Sequence, residues 1–164
     1  MTSYSSNLEL SKFIDNYDSN SEKIISFSPS ESENKPIDNN FEFRQLVIQE
    51  VIQTPENAPL ELLWDLFEAE TLFAKTNFSV NPNLRHLASI LLIRGGTKYL
   101  QKFLRYRYLS FDIYCETAQI KIPQELSLQL ALECENNSKS ANDKSEKELW
   151  EGGIKFFQWK NESS

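Results

Sequence analysis

Apolar residues at helical spacing run through the middle of this chain, and this periodicity constrains its fold more than any other feature. Phe43, Leu46, Val47 and Val51 follow the spacing i, i+3, i+4, i+8, which predicts an amphipathic helix over 41–53. Pro55 disfavours helical geometry at the residue before it, so we expect this helix to end there. A second helix is predicted over 58–75. Its buried side is expected to hold Leu60, Leu63, Trp64, Phe67 and Phe73, and its exposed acidic stripe Glu61, Asp65 and Glu68.

Two further helices are predicted between 83 and 106. The segment 83–94 is apolar on all sides from Leu87 onward, which favours a central buried helix. Gly95 and Gly96 then form a typical helix end. The fourth helix begins near 97. On it Arg107 would fall in the middle of the apolar arc, a conflict that disappears if the helix stops at 105 or 106.

The next segment changes its periodicity from helical to alternating. Apolar residues occupy every second position over 109–115 and again over 118–122, which predicts a β-hairpin turning near Glu116 and Thr117. Over 126–134 the signals disagree, because leucines alternate as in a strand whereas Pro123, Glu125 and the residue types favour a helix. We expect a helix there. The sequence thus predicts an α-rich, α+β fold, a compact helical domain over 41–134 with a small β-hairpin.

Polar segments flank this domain on both sides. Residues 1–40 are rich in Ser, Asn, Asp and Glu, which predicts a mostly disordered N-terminal arm; within it, 8–17 has helical spacing and 23–27 looks extended. Residues 135–148 are interpreted as a disordered linker, and 149–164 as an aromatic C-terminal segment. Such aromatic side chains need cover, either from their own domain or from a partner, and both alternatives stay open.

Charge is distributed unevenly along the chain. The net charge is −7, yet no Asp or Glu occurs between Thr76 and Phe111, where six cations fall. That stretch carries +6, so the remaining residues sum to −13, the difference between −7 and +6. The overall sign argues against generic binding to nucleic acids or anionic membranes, whereas the local excess favours a partner with an acidic surface.

Recognisable catalytic motifs are missing from the sequence. The four glycines occur as two adjacent pairs, so no phosphate-binding loop or nucleophile elbow can be formed. His86 is the single histidine, and we predict no cofactor and no metal site. An enzyme would have to use a Cys–His pair of His86 with Cys115 or Cys134, although buried, inert thiols are the simpler interpretation. The N-terminus lacks the pattern of a secretory signal, and no apolar run is long enough to span a membrane, which predicts a cytoplasmic protein.

The sequence therefore favours a non-enzymatic protein-interaction or regulatory adaptor. Its partner-binding residues are predicted to be Arg94, Lys98, Lys102 and Arg105 on a basic helix face, with Trp150, Phe156, Phe157 and Trp159 in the C-terminal segment. The basic face could also pair with acidic residues of its own chain. The alternative is a nucleic-acid-associated regulator that binds through 85–107, where aromatic residues interleave with the cations. The sequence determines neither the partner nor the oligomeric state.

Overall fold

The computed structural model of this protein describes residues 3–30 and 37–162, with side chains described over 8–30 and 37–160. Over these residues the chain forms nine helices, and its one β pairing is an isolated antiparallel bridge between Pro29 and Asp38. None of the helices in the described ranges is long and apolar enough to cross a membrane. The helices are α1 (Ser3–Asp15), α2 (Glu22–Ile25), α3 (Phe41–Gln53), α4 (Leu60–Asn77), α5 (Leu84–Gly95), α6 (Leu100–Arg107), α7 (Phe111–Thr117), α8 (Gln124–Ser140) and α9 (Lys144–Glu162).

Helices α3, α4 and α5 confirm the helices predicted in the central segment, although Leu46, predicted on the apolar face of α3, is 52% exposed. Helix α4 buries Leu63, Trp64 and Phe67, and α5 packs against it through its own leucines. Ile93 of α5 is 48% exposed, so this helix is less completely enclosed than its composition predicts. After α5 the chain turns at Gly96, whose φ of 52° is a conformation that other residues rarely adopt.

The N-terminal segment packs on the helical domain over the residues that the structure describes. The helical spacing of 8–17 is confirmed by α1, which buries Ile14. The segment 23–27 is not simply extended, because its first half forms the short helix α2 and buries Ile25. Of the arm predicted to be mostly disordered, residues 1, 2 and 31–36 lie outside the described ranges.

A buried ionic cluster holds this segment to α3 and α4. Arg44 of α3 is fully buried, and its Nη2 and Nε atoms contact the carboxylates of Asp38 and Glu70 at 2.5 Å and 2.7 Å. Its Nη1 donates to the carbonyl of Ile25 at 3.1 Å. Glu70 also accepts from the Gln45 amide at 2.9 Å. Each nitrogen of the guanidinium therefore has a partner, which is what makes burial of this charge tolerable.

The predicted β-hairpin over 109–122 is wrong, because this segment contains the helix α7. Ser110 caps that helix by accepting from the backbone N–H of Ile113 at 3.3 Å. The buried positions are Ile113, Glu116, Thr117 and Ile120, which follow helical spacing rather than alternation. Phe111, which a strand would have placed beside Ile113 on the inner face, is 78% exposed. The cap and the helical placement of the buried residues outweigh the alternating pattern.

Helices α8 and α9 form a hairpin of two long helices. Their contact with each other is more extensive than that of any other helix pair in the described chain. The helix expected over 126–134 is confirmed as part of α8. The polar segment 135–148, interpreted as a disordered linker, instead contributes the end of α8 and the start of α9, and the two helices are joined by 141–143. Its polarity is that of a solvent-exposed helix pair, which composition alone does not distinguish from a disordered linker.

The position of Arg107 in the apolar arc predicts that the fourth helix stops at 105 or 106. This prediction is wrong, because α6 continues through Arg107. Arg107 is 1% exposed and lies among aromatic rings of α7 and α9. Its helical position is therefore the buried one that the wheel indicates, and rings from other helices provide the electron-rich surface that accepts the cation.

Candidate binding surfaces

The basic face around the start of α6 presents three exposed cations, Lys98, Lys102 and Arg105. The Lys98 ammonium lies 2.7 Å from Glu61, and this hydrogen bond raises the pKa of Lys98 and lowers that of Glu61. Lys102 lies over the ring of Trp64, with its Nζ 5.1 Å from the centroid. Neither Lys102 nor Arg105 forms an ion pair with any side chain that the structure describes.

Arg94, the fourth predicted cation, contributes to the loop that precedes α4. Its Nη1 donates to the carbonyl of Pro55 at 2.6 Å and also to that of Ala58. The side chain closes off backbone carbonyls that would otherwise lack donors. Arg94 is therefore engaged within the chain, although it remains exposed.

The acidic stripe of α4 has partners inside the chain. Besides Glu61, Asp65 accepts from the Tyr17 hydroxyl at 2.6 Å, and Glu68 accepts from the Tyr106 hydroxyl. Burial, followed by the hydrogen bond to Glu68, raises the pKa of Tyr106 to about 12, and burial raises the pKa of Asp65. The prediction left open whether the basic face pairs with acidic residues of its own chain, and for Lys98 it does.

The C-terminal segment packs on its own domain. Trp150, Phe156 and Phe157 are 5%, 6% and 0% exposed, whereas Trp159 is 49% exposed. Ser127 of α8 donates to the carbonyl of Phe157 at 2.8 Å, which ties the two helices together. Of the four aromatic residues predicted to bind a partner, Trp159 is the one whose ring reaches the surface.

Three aromatic residues of the basic stretch, Tyr99, Phe103 and Tyr106, are occupied by internal contacts, whereas Tyr108 is 46% exposed. Tyr99 stacks on Trp64 with centroids 5.4 Å apart and planes at 7°, and Tyr106 meets the same ring edge-on at 5.2 Å. Phe103 is fully buried. These rings are not presented for stacking on nucleic acid bases.

The histidine and the two thiols differ in their exposure to solvent. Cys134 is fully buried, and burial raises the pKa of its thiol to about 12, so it stays protonated at neutral pH. Cys115 and His86 are exposed. No group of three or more His, Cys, Asp or Glu side chains placed to hold a metal ion occurs in the described ranges.

A cavity of about 500 Å³ opens where the end of α6 meets α7 and α9. It is lined by Arg107, Tyr108, Tyr114, Ala118, Gly152, Lys155, Phe156 and Trp159. Two of the lining rings belong to the C-terminal segment, and the arginine belongs to the basic stretch. The fold therefore brings the two sequence features together at a place that the sequence did not predict.

The guanidinium of Arg107 lies against three of these rings. Its Cζ atom is 3.8 Å from the centroid of Phe156, 4.7 Å from that of Tyr114 and 5.0 Å from that of Tyr108. Nη1 donates to the Tyr108 hydroxyl at 3.3 Å. Nε and Nη2 are buried and have no hydrogen-bond partner among the described residues.

Sequence reasoning missed this site although it noticed the residue. The signal in the sequence is an arginine in the middle of an apolar arc. It favoured a helix that ends before Arg107, because the sequence does not show which rings cover the side chain. Comparison with protein-family models, curated proteins and solved structures gives no match to this chain, so the functional argument rests on its own geometry.

Proposed function

We propose that this protein is a non-enzymatic interaction module, a regulatory adaptor that docks an acidic surface of another protein on the face formed by Lys98, Lys102 and Arg105. The observation that carries the proposal is that all three cations are exposed on α6 or just before it, while two of them form no ion pair with a carboxylate of the described chain. Trp159, as the exposed aromatic residue of the C-terminal segment, is the second candidate contact.

The energetics of the face favour exchange of partners. The Lys98–Glu61 pair is solvent-exposed on both sides, and exposed pairs of this kind contribute little to folding. A carboxylate from another protein can therefore replace Glu61 at small cost. The local positive charge also steers acidic partners towards this side of a chain whose net charge is −7.

Reversal of the face tests the proposal. The variant Lys98→Glu/Lys102→Glu/Arg105→Glu should stay folded, because all three side chains are exposed, and it should lose a protein that the unchanged chain captures from lysate of its host. The matched control reverses the exposed Lys139, Lys144 and Lys147 of α8 and α9, which changes the net charge equally. The captured protein is then purified, and its affinity for all three chains is measured by titration calorimetry at two salt concentrations.

The two variants give opposite expectations. Loss of binding in the face variant alone, with weaker binding at the higher salt concentration, supports the adaptor. Equal capture by all three chains would overturn it. Binding to nucleic acid, the alternative, has lost most of its stacking residues to internal contacts. Phosphate contacts and the exposed ring of Tyr108 would remain. A salt-sensitive mobility shift of RNA or DNA that the face variant abolishes would favour that alternative instead.

A further inference from the structure

We propose that the cavity at Arg107 is a binding site for a small organic carboxylate with an apolar, aromatic body. The site is distinct from the basic face, since Arg107 is buried among α6, α7 and α9 and none of the three exposed cations lines the cavity. The inference goes beyond the adaptor function and does not depend on it.

The two donors without a partner belong to one edge of the guanidinium. Nε–H and one N–H of Nη2 point in parallel from that edge, and their spacing matches the two oxygens of a carboxylate. The face of the group lies against the ring of Phe156 at 3.8 Å, and the remaining nitrogen donates to Tyr108. The edge that is left is thus the one that forms bidentate carboxylate pairs.

The charge around the cavity is positive. Its lining includes Arg107 and the exposed Lys155, and no Asp or Glu among the described residues lines it. Lys160 lies close by, and both its burial and the charge of Arg107 lower its pKa. An anion entering the cavity would therefore meet a positively charged wall with no Asp or Glu among its described residues, in contrast to the Arg44 cluster, where two carboxylates are already in place.

The aromatic walls of the cavity favour a ligand with an aromatic body. Tyr108, Tyr114, Phe156 and Trp159 surround the arginine, and rings of this kind bind flat apolar groups. The volume of about 500 Å³ lies in the range of sites for small molecules. Tyr108, Tyr114 and Trp159 are between 41% and 49% exposed, so they border the solvent and can rotate to uncover the buried donors. A phosphate, with a second charge and a third oxygen to satisfy, fits this apolar enclosure less well.

The test uses the full chain and pairs of probes that differ only in charge. Phenylacetate and indole-3-acetate are titrated calorimetrically beside phenylacetamide and indole-3-acetamide. We expect the carboxylates to bind at least about tenfold more tightly than the amides, because charge-assisted pairs are the stronger ones. Failure of both carboxylates to bind, or equal binding of acid and amide, would overturn the proposal without any variant being needed.

Variants then locate the site. Arg107→Lys keeps the charge over Phe156 but loses the paired donors, and it should lower the carboxylate affinity at least about tenfold. Arg85→Lys, on α5 and outside both the cavity lining and the basic face, is the matched control and should leave the affinity unchanged. If Arg107→Lys does not fold, Trp159→Phe at the border of the cavity is tested instead. This variant should lower the affinity for both carboxylates. Affinity that no cavity variant changes would contradict the assignment, as would an equal loss in the Arg85 control.

Discussion

At the scale of single residues, two arginines account for most of what is unusual in this protein. Arg44 and Arg107 are both fully buried, but the three nitrogens of Arg44 all have acceptors, whereas two nitrogens of Arg107 have none among the described residues. A buried cation with complete partners holds the fold together. A buried cation with unpaired donors can still bind a ligand, because a buried donor without an acceptor costs free energy that a bound acceptor would recover.

The two cysteines make a prediction at the same scale. Cys134 is fully buried with the pKa of its thiol raised to about 12, and Cys115 is exposed. With Ellman's reagent at pH 8, we expect Cys115 to react at least about a hundredfold faster than Cys134, which must wait for the protein to open. Single Cys→Ala variants assign the two rates. Rapid labelling of both thiols in the folded chain would contradict the burial of Cys134.

At the scale of helices, a glycine sets how closely α6, α8 and α9 approach one another. A Cβ atom at Gly153 would lie 2.7 Å from Leu104 Cδ1 and 2.8 Å from Cys134 Sγ, both too close for contact. Alanine is the better helix former by about 1 kcal/mol, so propensity and packing oppose each other at this position.

In the Gly153→Ala variant, we expect the close contacts of the added Cβ to outweigh the gain in helix propensity. Overpacking between three helices should lower the free energy of unfolding by about 1–3 kcal/mol, measured by urea denaturation. Gly152→Ala is the control, because its Cβ would meet the Tyr108 hydroxyl, the far end of a side chain that can swing away. A Gly153→Ala chain more stable than the Gly152→Ala chain would show that the helices are not in such close contact.

The helices also show which parts of the fold the sequence predicts. Helices α3, α4 and α5 were predictable because their apolar periodicity extends over three or more turns and because Pro55, Pro59 or Gly96 marks one end of each. Helix α7 was missed because it has 7 residues, and over two turns a helical and an alternating pattern fit nearly the same apolar positions. The polar ends of α8 and α9 were misread because composition does not reveal that a helix will be covered on one side.

At the scale of the whole molecule, contacts between distant parts of the chain decide the binding surfaces. The exposure of Lys102 and Arg105 follows from helical spacing on α6, so the sequence predicts it, whereas Lys98 lies in the turn before that helix. The cover over Arg107 does not follow from such spacing, since it comes from α7 and from Phe156, which lies in a segment that reads as a separate tail. Charge along a sequence thus indicates which residues are exposed cations, but not which buried cation will lack an acceptor.

The same contacts make the C-terminal segment part of one core, and truncation tests this. Trp150, Phe156 and Phe157 are buried against the rest of the chain, and each such side chain contributes about 2–3 kcal/mol. Together they approach the whole stability of a domain, about 5–15 kcal/mol. A chain that ends at residue 148 should therefore lose its cooperative unfolding transition by circular dichroism, whereas removal of a mobile tail would leave the transition in place.

A point substitution tests the same contact without removing a helix. Phe157→Ala leaves a cavity between α8 and α9 and should cost about 3–5 kcal/mol, whereas Gln158→Ala, at the exposed neighbouring position, should change the stability by less than about 0.5 kcal/mol. Equal stabilities of these two variants would mean that the segment is detached in solution. In that case its aromatic residues would again be available to a partner, and the Arg107 cavity, which needs Phe156 as a wall, would not exist.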